Sequence, residues 1–131
     1  MRGGIWVLKP SKQPMPENVK LQITEWAESH VAVLRSSSIP KKPPKNQNYV
    51  ADVYYEWTRD RFYLCAKYNS PGPRAISPYF IERFARLEHI GNDHYQLFAM
   101  RHTGNWMPIE VDTPLETCIN SMEHNPWFKL W

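Results

Sequence analysis

Tyr49-Val50-Ala51-Asp52-Val53-Tyr54-Tyr55-Glu56-Trp57-Thr58-Arg59-Asp60-Arg61-Phe62-Tyr63-Leu64-Cys65-Ala66-Lys67-Tyr68 is the stretch on which the fold turns. Its hydrophobic period is two. Ala51, Val53, Tyr55 and Trp57 alternate with Val50, Asp52, Tyr54 and Glu56. After the polar break at Thr58-Arg59-Asp60, Phe62, Leu64, Ala66 and Tyr68 alternate with Arg61, Tyr63, Cys65 and Lys67. Side chains on a strand point to opposite faces in turn, so two such runs around a short turn predict an antiparallel hairpin. Asn69-Ser70-Pro71-Gly72-Pro73 is a turn cluster that stops the second strand.

C-terminal to the hairpin, residues 78–90 carry a mixed signal. Phe80, Ile81, Phe84 and Leu87 fit a helical stripe, whereas Ala85, Leu87 and His89 alternate with Arg86, Glu88 and Ile90. The turn Gly91-Asn92-Asp93 and the β-rich run 94–101 favour a strand at about 83–90. Thr103-Gly104 then turns the chain into a last strand over 105–111, which Pro108 marks as an edge. Thr113, Pro114 and Glu116 read as an N-cap, a first-turn proline and the acid of a capping box for a short helix, which Asn125-Pro126 ends.

N-terminal to the hairpin, Val19, Ile23, Trp26, Ala27, His30, Val31 and Leu34 recur at steps of three and four. That spacing predicts an amphipathic helix at about 17–35, closed by Ser36-Ser37-Ser38 and Pro40. Residues 1–16 read as an extended segment with prolines at 10, 14 and 16. Residues 39–48 form a stiff Pro/Lys-rich linker. The whole is a single α+β domain over 17–131: an N-terminal helix, a meander sheet of four to five antiparallel strands and a short C-terminal helix.

The chain has 131 residues, 42% hydrophobic, 14% aromatic and 22% charged, which excludes a wholly disordered protein. No apolar run reaches the length of a membrane span, so no membrane partner is expected. Residues 1–50 hold eight Lys/Arg against three Glu, and the remainder eight Lys/Arg against ten Asp/Glu. The basic character therefore sits in the tail, helix and linker, which weighs against a broad basic sheet face. Cys65 and Cys118 lie far apart with no metal or redox spacing and no signal-peptide core ahead of them, so reduced thiols and a cytoplasmic location are expected.

Candidate sites follow from side-chain chemistry. Arg101, His102, Thr103, Asn105 and Trp106 are the densest polar group and fit the grip of a carboxylate or phosphate. Glu110 from the next strand would orient His102 as an acid–base group, making Arg101, His102 and Glu110 the catalytic candidates of a small hydrolase or transferase. Against this, Thr103-Gly104 serves simply as a turn, and no nucleophile stands in an activated context. Lys41, Lys42, Lys45, Arg59 and Arg61 suit phosphates. Trp57 or Tyr63 would then stack bases, with Tyr54, Tyr95, Trp106 and Lys67 extending the platform. The same aromatics serve equally as sheet packing. His89 and His94 flank a turn and are the candidate metal ligands, although no ligand motif surrounds them and no cofactor is implied.

Phe84-Ala85-Arg86-Leu87-Glu88-His89-Ile90-Gly91, Tyr95-Gln96-Leu97, Arg101-His102-Thr103-Gly104-Asn105-Trp106 and the ending Asn125-Pro126-Trp127-Phe128 resemble small uncharacterised bacterial proteins. Those proteins share an R-H-T-G-x-W turn, a short helix and an N-P-x-F ending. Met107 stands where a second tryptophan is common in them. The resemblance covers roughly the last 50 residues; it implies a compact bacterial cytosolic domain and no established activity. The apolar ends (Ile5, Trp6, Val7, Leu8, Trp127, Phe128, Trp131) point to a non-catalytic module acting through a protein partner or self-association. Nucleic-acid binding is the alternative reading.

Overall fold

A computed structural model of the chain describes residues 7–130. It is an α+β domain in two layers. Helix α1 (Glu17–Ser38) is followed by strands β1 (Tyr49–Thr58), β2 (Arg61–Asn69), β3 (Tyr79–Gly91), β4 (His94–Met100) and β5 (Trp106–Pro114). Helix α2 (Leu115–His124) and a 3-10 turn (Pro126–Phe128) complete the chain. The strands form one antiparallel sheet in the order β1-β2-β3-β4-β5, the expected meander.

The register assigns the two faces. Trp57 opposes Phe62 and Phe62 opposes Leu87, while Leu64 opposes Ala85, which in turn opposes Ala99. These residues, with Val53, Tyr68, Tyr95 and Leu97, are packed in the core with Ile23, Ala27 and Val31 of α1 and Cys118 and Met122 of α2. Both helices thus cover the same face. Trp26 Nε1 donates to Glu123 Oε2 at 3.0 Å, joining α1 to α2, and Trp57 Nε1 donates to Thr24 Oγ1 at 3.1 Å, joining β1 to α1. The sheet lies between the two free, buried thiols of Cys65 and Cys118.

Among the described residues no helix lies on the opposite face. Its far end is covered by the chain ahead of α1, which runs extended across the sheet. Gln96, fully buried on β4, acts as a substitute strand partner for Leu8: Leu8 N donates to Gln96 Oε1 at 3.1 Å and Gln96 Nε2 donates to Leu8 O at 2.7 Å. Ser11 N donates to the carbonyl of His89 at 2.8 Å. Met15 then dips into the core, its N–H bonded to Asp60 Oδ2 at 3.1 Å, and Lys20 closes the corner on Asp60 Oδ1 at 2.6 Å.

Boundaries differ from the sequence reading where tertiary contacts override local signals. Helix α1 continues through Ser36-Ser37-Ser38, since Arg35 Nε reaches Val53 O at 2.7 Å and Asp52 Oδ1 at 3.1 Å and holds the last turn against β1. The ambiguous segment is one thirteen-residue strand, longer than the expected 83–90, because β2 pairs with it from Tyr79 to Glu88. Thr113 is no N-cap: it belongs to β5, its hydroxyl lies 3.4 Å from Cys118 Sγ, and Pro114 precedes the helix without a side-chain cap. The β3–β4 turn places Asn92 and Asp93 at φ 52° and 56°, which fits a two-residue hairpin whose twist matches the strands.

Candidate functional site

On the helix-free face the register lays side chains in rows across the sheet. Glu56 opposes Tyr63, Tyr63 opposes Arg86, Arg86 opposes Phe98 and Phe98 opposes Pro108. A neighbouring row runs Tyr54–Cys65–Arg83, and Trp106 pairs with Met100 beyond it. The chain ahead of α1 covers the end marked by Arg61, Glu88 and Gln96, leaving the half around Tyr63, Arg83 and Trp106 uncovered.

The arginines in this half lie flat on rings. Arg83 sits 4.2 Å from the centroid of Tyr63, and Arg86 sits 4.2 Å from Phe98 and 5.1 Å from Trp106. Arg83 also bonds Glu56 Oε1 at 2.6 Å. Arg86 Nε is buried and has no hydrogen-bond acceptor among the described residues; it lies 3.5 Å from Glu88 Oε2, which Arg61 already holds at 2.8 Å. A guanidinium stacked on an aromatic ring has surrendered its rotamer freedom before any ligand arrives, so it presents its charge at little further entropic cost. Lys67, over the ring of Tyr79 at 4.5 Å, adds a further cation. Over the whole helix-free face and its rim, Arg61, Lys67, Arg83, Arg86 and Arg101 outnumber Glu56, Glu88 and the bordering Glu82; in the uncovered half the cations are Lys67, Arg83, Arg86 and Arg101. Division of charge by chain segment hid this, because the acids of the C-terminal part sit mostly elsewhere, on turns, on α2 and on the helix-covered face.

Strands β4 and β5 turn at residues 101–105, with Arg101 N donating to Asn105 O at 2.9 Å and Gly104 N to Arg101 O at 2.9 Å. Gly104 has φ +87°, a conformation a side chain would strain. Arg101, His102, Gly104 and Trp106 line a cleft of about 450 Å³ with Tyr63, Ile81 and Arg83. On the helix side of the same rim, His102 and Met100 line a second cavity of about 380 Å³, with Tyr68, Phe84, Trp127 and Leu130. Glu82 borders both cavities, and burial raises its carboxyl pKa above the ordinary range.

The remaining candidates are dispersed. Glu110 accepts a 2.6 Å bond from Ser121 Oγ on α2 and sits opposite Leu97, several rungs from the turn. Arg101, His102 and Glu110 therefore do not assemble as an acid–base set. Trp57 is packed against α1 with Lys20 above its ring at 5.7 Å, and Tyr95 is in the core, so neither shares a platform with Tyr63. Lys41, Lys42 and Lys45 are exposed at the β1 entry, while Arg59 and Arg61 stand at its other end, roughly 30 Å away by strand rise. His89 opposes Tyr95, whereas His94 opposes Gly91 and bonds Asp112 Oδ1 through Nδ1 at 2.7 Å, so the turn does not bring the two imidazoles together. Among the described residues no group of three or more His, Cys, Asp or Glu side chains is placed to hold a metal. Among them, too, no helix is long and apolar enough to cross a membrane.

The apolar ends are partly absorbed into the fold. Phe128 is buried and Leu130 packs on the core, while Trp127 stays 46% exposed beside the helix-side cavity; Ile5, Trp6 and Trp131 lie outside the described residues. The sequence reading missed Arg83 and Arg86 as site residues. Alternation with Ala85 and Leu87 was a signal for Arg86 alone; Arg83 reaches the same face only through the bulge that leaves Phe84 unpaired in the β2–β3 register, and no local pattern marks it.

No curated protein and no solved structure matches the chain. A family model described as a domain of unknown function, DUF3024, matches residues 15–131. That match reaches well beyond the C-terminal segment of the sequence resemblance and takes in α1, the basic linker and all five strands. The chain belongs to this domain family of unknown function, DUF3024.

Proposed function

We propose that the domain is a non-catalytic binding module of a bacterial cytoplasmic protein and that it docks a protein partner on the uncovered half of its helix-free face. The observation that carries this reading is the pair of preformed arginine–aromatic stacks, Arg83 on Tyr63 and Arg86 between Phe98 and Trp106. Tyrosine, tryptophan and arginine dominate the energetics of protein interfaces because they bury large area and hydrogen-bond at the same time. A second copy is disfavoured as the occupant, since a two-fold contact would set this cationic patch against itself. The two unpaired thiols fit a reducing compartment.

Single-stranded nucleic acid is the second reading, favoured by the excess of cations on one face. Its weakness lies in the rings. Tyr63 is only 6% exposed and already covered by Arg83, so it offers bases no free surface.

Selection of a phage-displayed random peptide library on the immobilised domain tests the proposal, with Arg83→Glu and Trp106→Ala in parallel. The expected result is enrichment on the native domain and loss on both variants. Enriched peptides that bind all three equally would refute the docking face. Oligonucleotide binding that is tighter than any peptide and falls steeply with salt would refute the choice of partner.

A further inference from the structure

Strand β3 has thirteen residues and β4 only seven. The last β4 pairing along this side sets Ala99 against Ala85, so residues 79–84 have β2 on one side and, among the described residues, no strand on the other. Six residues leave roughly 20 Å of free strand edge inside the sheet. The two outer edges are blunted. Arg35 of α1 occupies the Val53 carbonyl on β1, next to a bulge at Val50/Asp52, and β5 carries Pro108 and a bulge around Asp112, whose φ is 57°. The inner edge is blunted only at its ends, by Ser77 Oγ donating to the Tyr79 carbonyl at 2.8 Å and by the bulge at Phe84; residues 80–83 between them carry no proline and no bulge, and Tyr79 and Ile81 are about half exposed.

The two cavities described above lie on opposite faces of this gap and share Glu82, Met100 and His102 in their walls. Alternate side chains of a strand laid into the gap would enter them in turn. One wall is apolar, from Phe84, Trp127 and Leu130. The other carries Arg83 and Arg101, and among the described residues Arg101 has no ion-pair partner.

We infer that the free edge of β3 at residues 79–84 takes an extended segment of the partner by strand addition, and that this segment alternates apolar with acidic residues. Main-chain hydrogen bonds would supply the attachment and the two cavities the sequence preference. The inference rests on the docking reading above and specifies how that surface is used.

The probe is a fluorescent eight-residue peptide alternating leucine and glutamate, titrated onto the full chain by anisotropy, with amide exchange followed on the same complex. Saturable binding is expected, together with slowed exchange at 79–84 and failure of the leucine–lysine counterpart. Arg83→Glu should weaken binding about tenfold, corresponding to about 1.4 kcal/mol. Peptides N-methylated on one alternating set of amides separate backbone pairing from side-chain fit without altering the protein. One set should bind like the parent and the other should lose at least about tenfold. No saturable binding, or equal binding by both methylated sets, overturns strand addition. If library-selected peptides still depend on Arg83 and Trp106 while methylation has no effect, the docking face stands and strand addition alone falls.

Discussion

Replacing Gln96 by Met keeps the side-chain volume and removes the amide that fastens the leading segment to the sheet. Three hydrogen bonds go: two with the backbone of Leu8, and one from Nε2 to Glu88 Oε1 at 2.8 Å. A neutral bond contributes about 1 kcal/mol net, and one to a charged acceptor about 1.5–3 kcal/mol. Leu8 is 42% exposed, so its freed groups regain water, whereas Glu88 is 2% exposed and keeps only the arginines around its other oxygen. The net loss should be about 3 kcal/mol. With a urea slope of roughly 2 kcal/mol/M the midpoint falls by about 1.5 M. Amide exchange should show Leu8 and Ser11 losing protection well before the central strands. Gln96→Glu should cost more at neutral pH, because it opposes two buried carboxylates, and should recover part of the loss in acid. A change below about 0.5 kcal/mol for Gln96→Met, with Leu8 still protected, would refute the attachment described here.

Burial pushes the Cys65 thiol up to about 12 and Cys118 up to about 11, so at pH 8 neither should react with a disulfide reagent until urea unfolds the chain; rapid native labelling of Cys65 would contradict its burial between neighbouring side chains. The hydrogen bond from Lys20 holds the Asp60 carboxyl below its ordinary value of 3.8. Asp60→Asn should therefore cost about 1 kcal/mol at pH 7, and the difference from the native chain should vanish as pH falls through the lowered value. Burial lowers the His30 imidazole below 6.5, so the unfolded state binds the proton first and stability should drop as pH falls below 6.5. His30→Gln should flatten that part of the melting-temperature profile, and an unchanged profile would shift the cause to another group.

Much of the fold is legible from period and punctuation. The period-two runs at 49–57 and 61–68 specify the first hairpin, and the stripe through Ile23, Ala27 and Val31 specifies the helix that covers it. The extent of β3 was not legible. Phe80, Ile81 and Phe84 satisfy a helical spacing because a bulge between Leu64 and Cys65 in the β2–β3 register shifts Phe84 toward the core, a displacement that only pairing with β2 determines. The turn at 101–105 was legible as a polar cluster. Its neighbours were not, since Arg83 and Tyr63 reach it across the sheet from strands close to twenty and forty residues upstream. Glu110 looked available because its partner, Ser121, lies on α2, whose docking the sequence does not specify.

Indole NMR signals report the central claim most directly, since Trp106 lies on the helix-free face while Trp26 belongs to α1 and bonds α2, Trp57 is bonded to α1 from β1, and Trp127 stands beside the helix-side cavity. Peptides enriched on the native domain, added to the ¹⁵N-labelled full chain, should move the Trp106 resonance and leave Trp26 and Trp57 in place. Movement of Trp26 and Trp57 with Trp106 unaffected would put the docking surface on the helix layer and contradict the account.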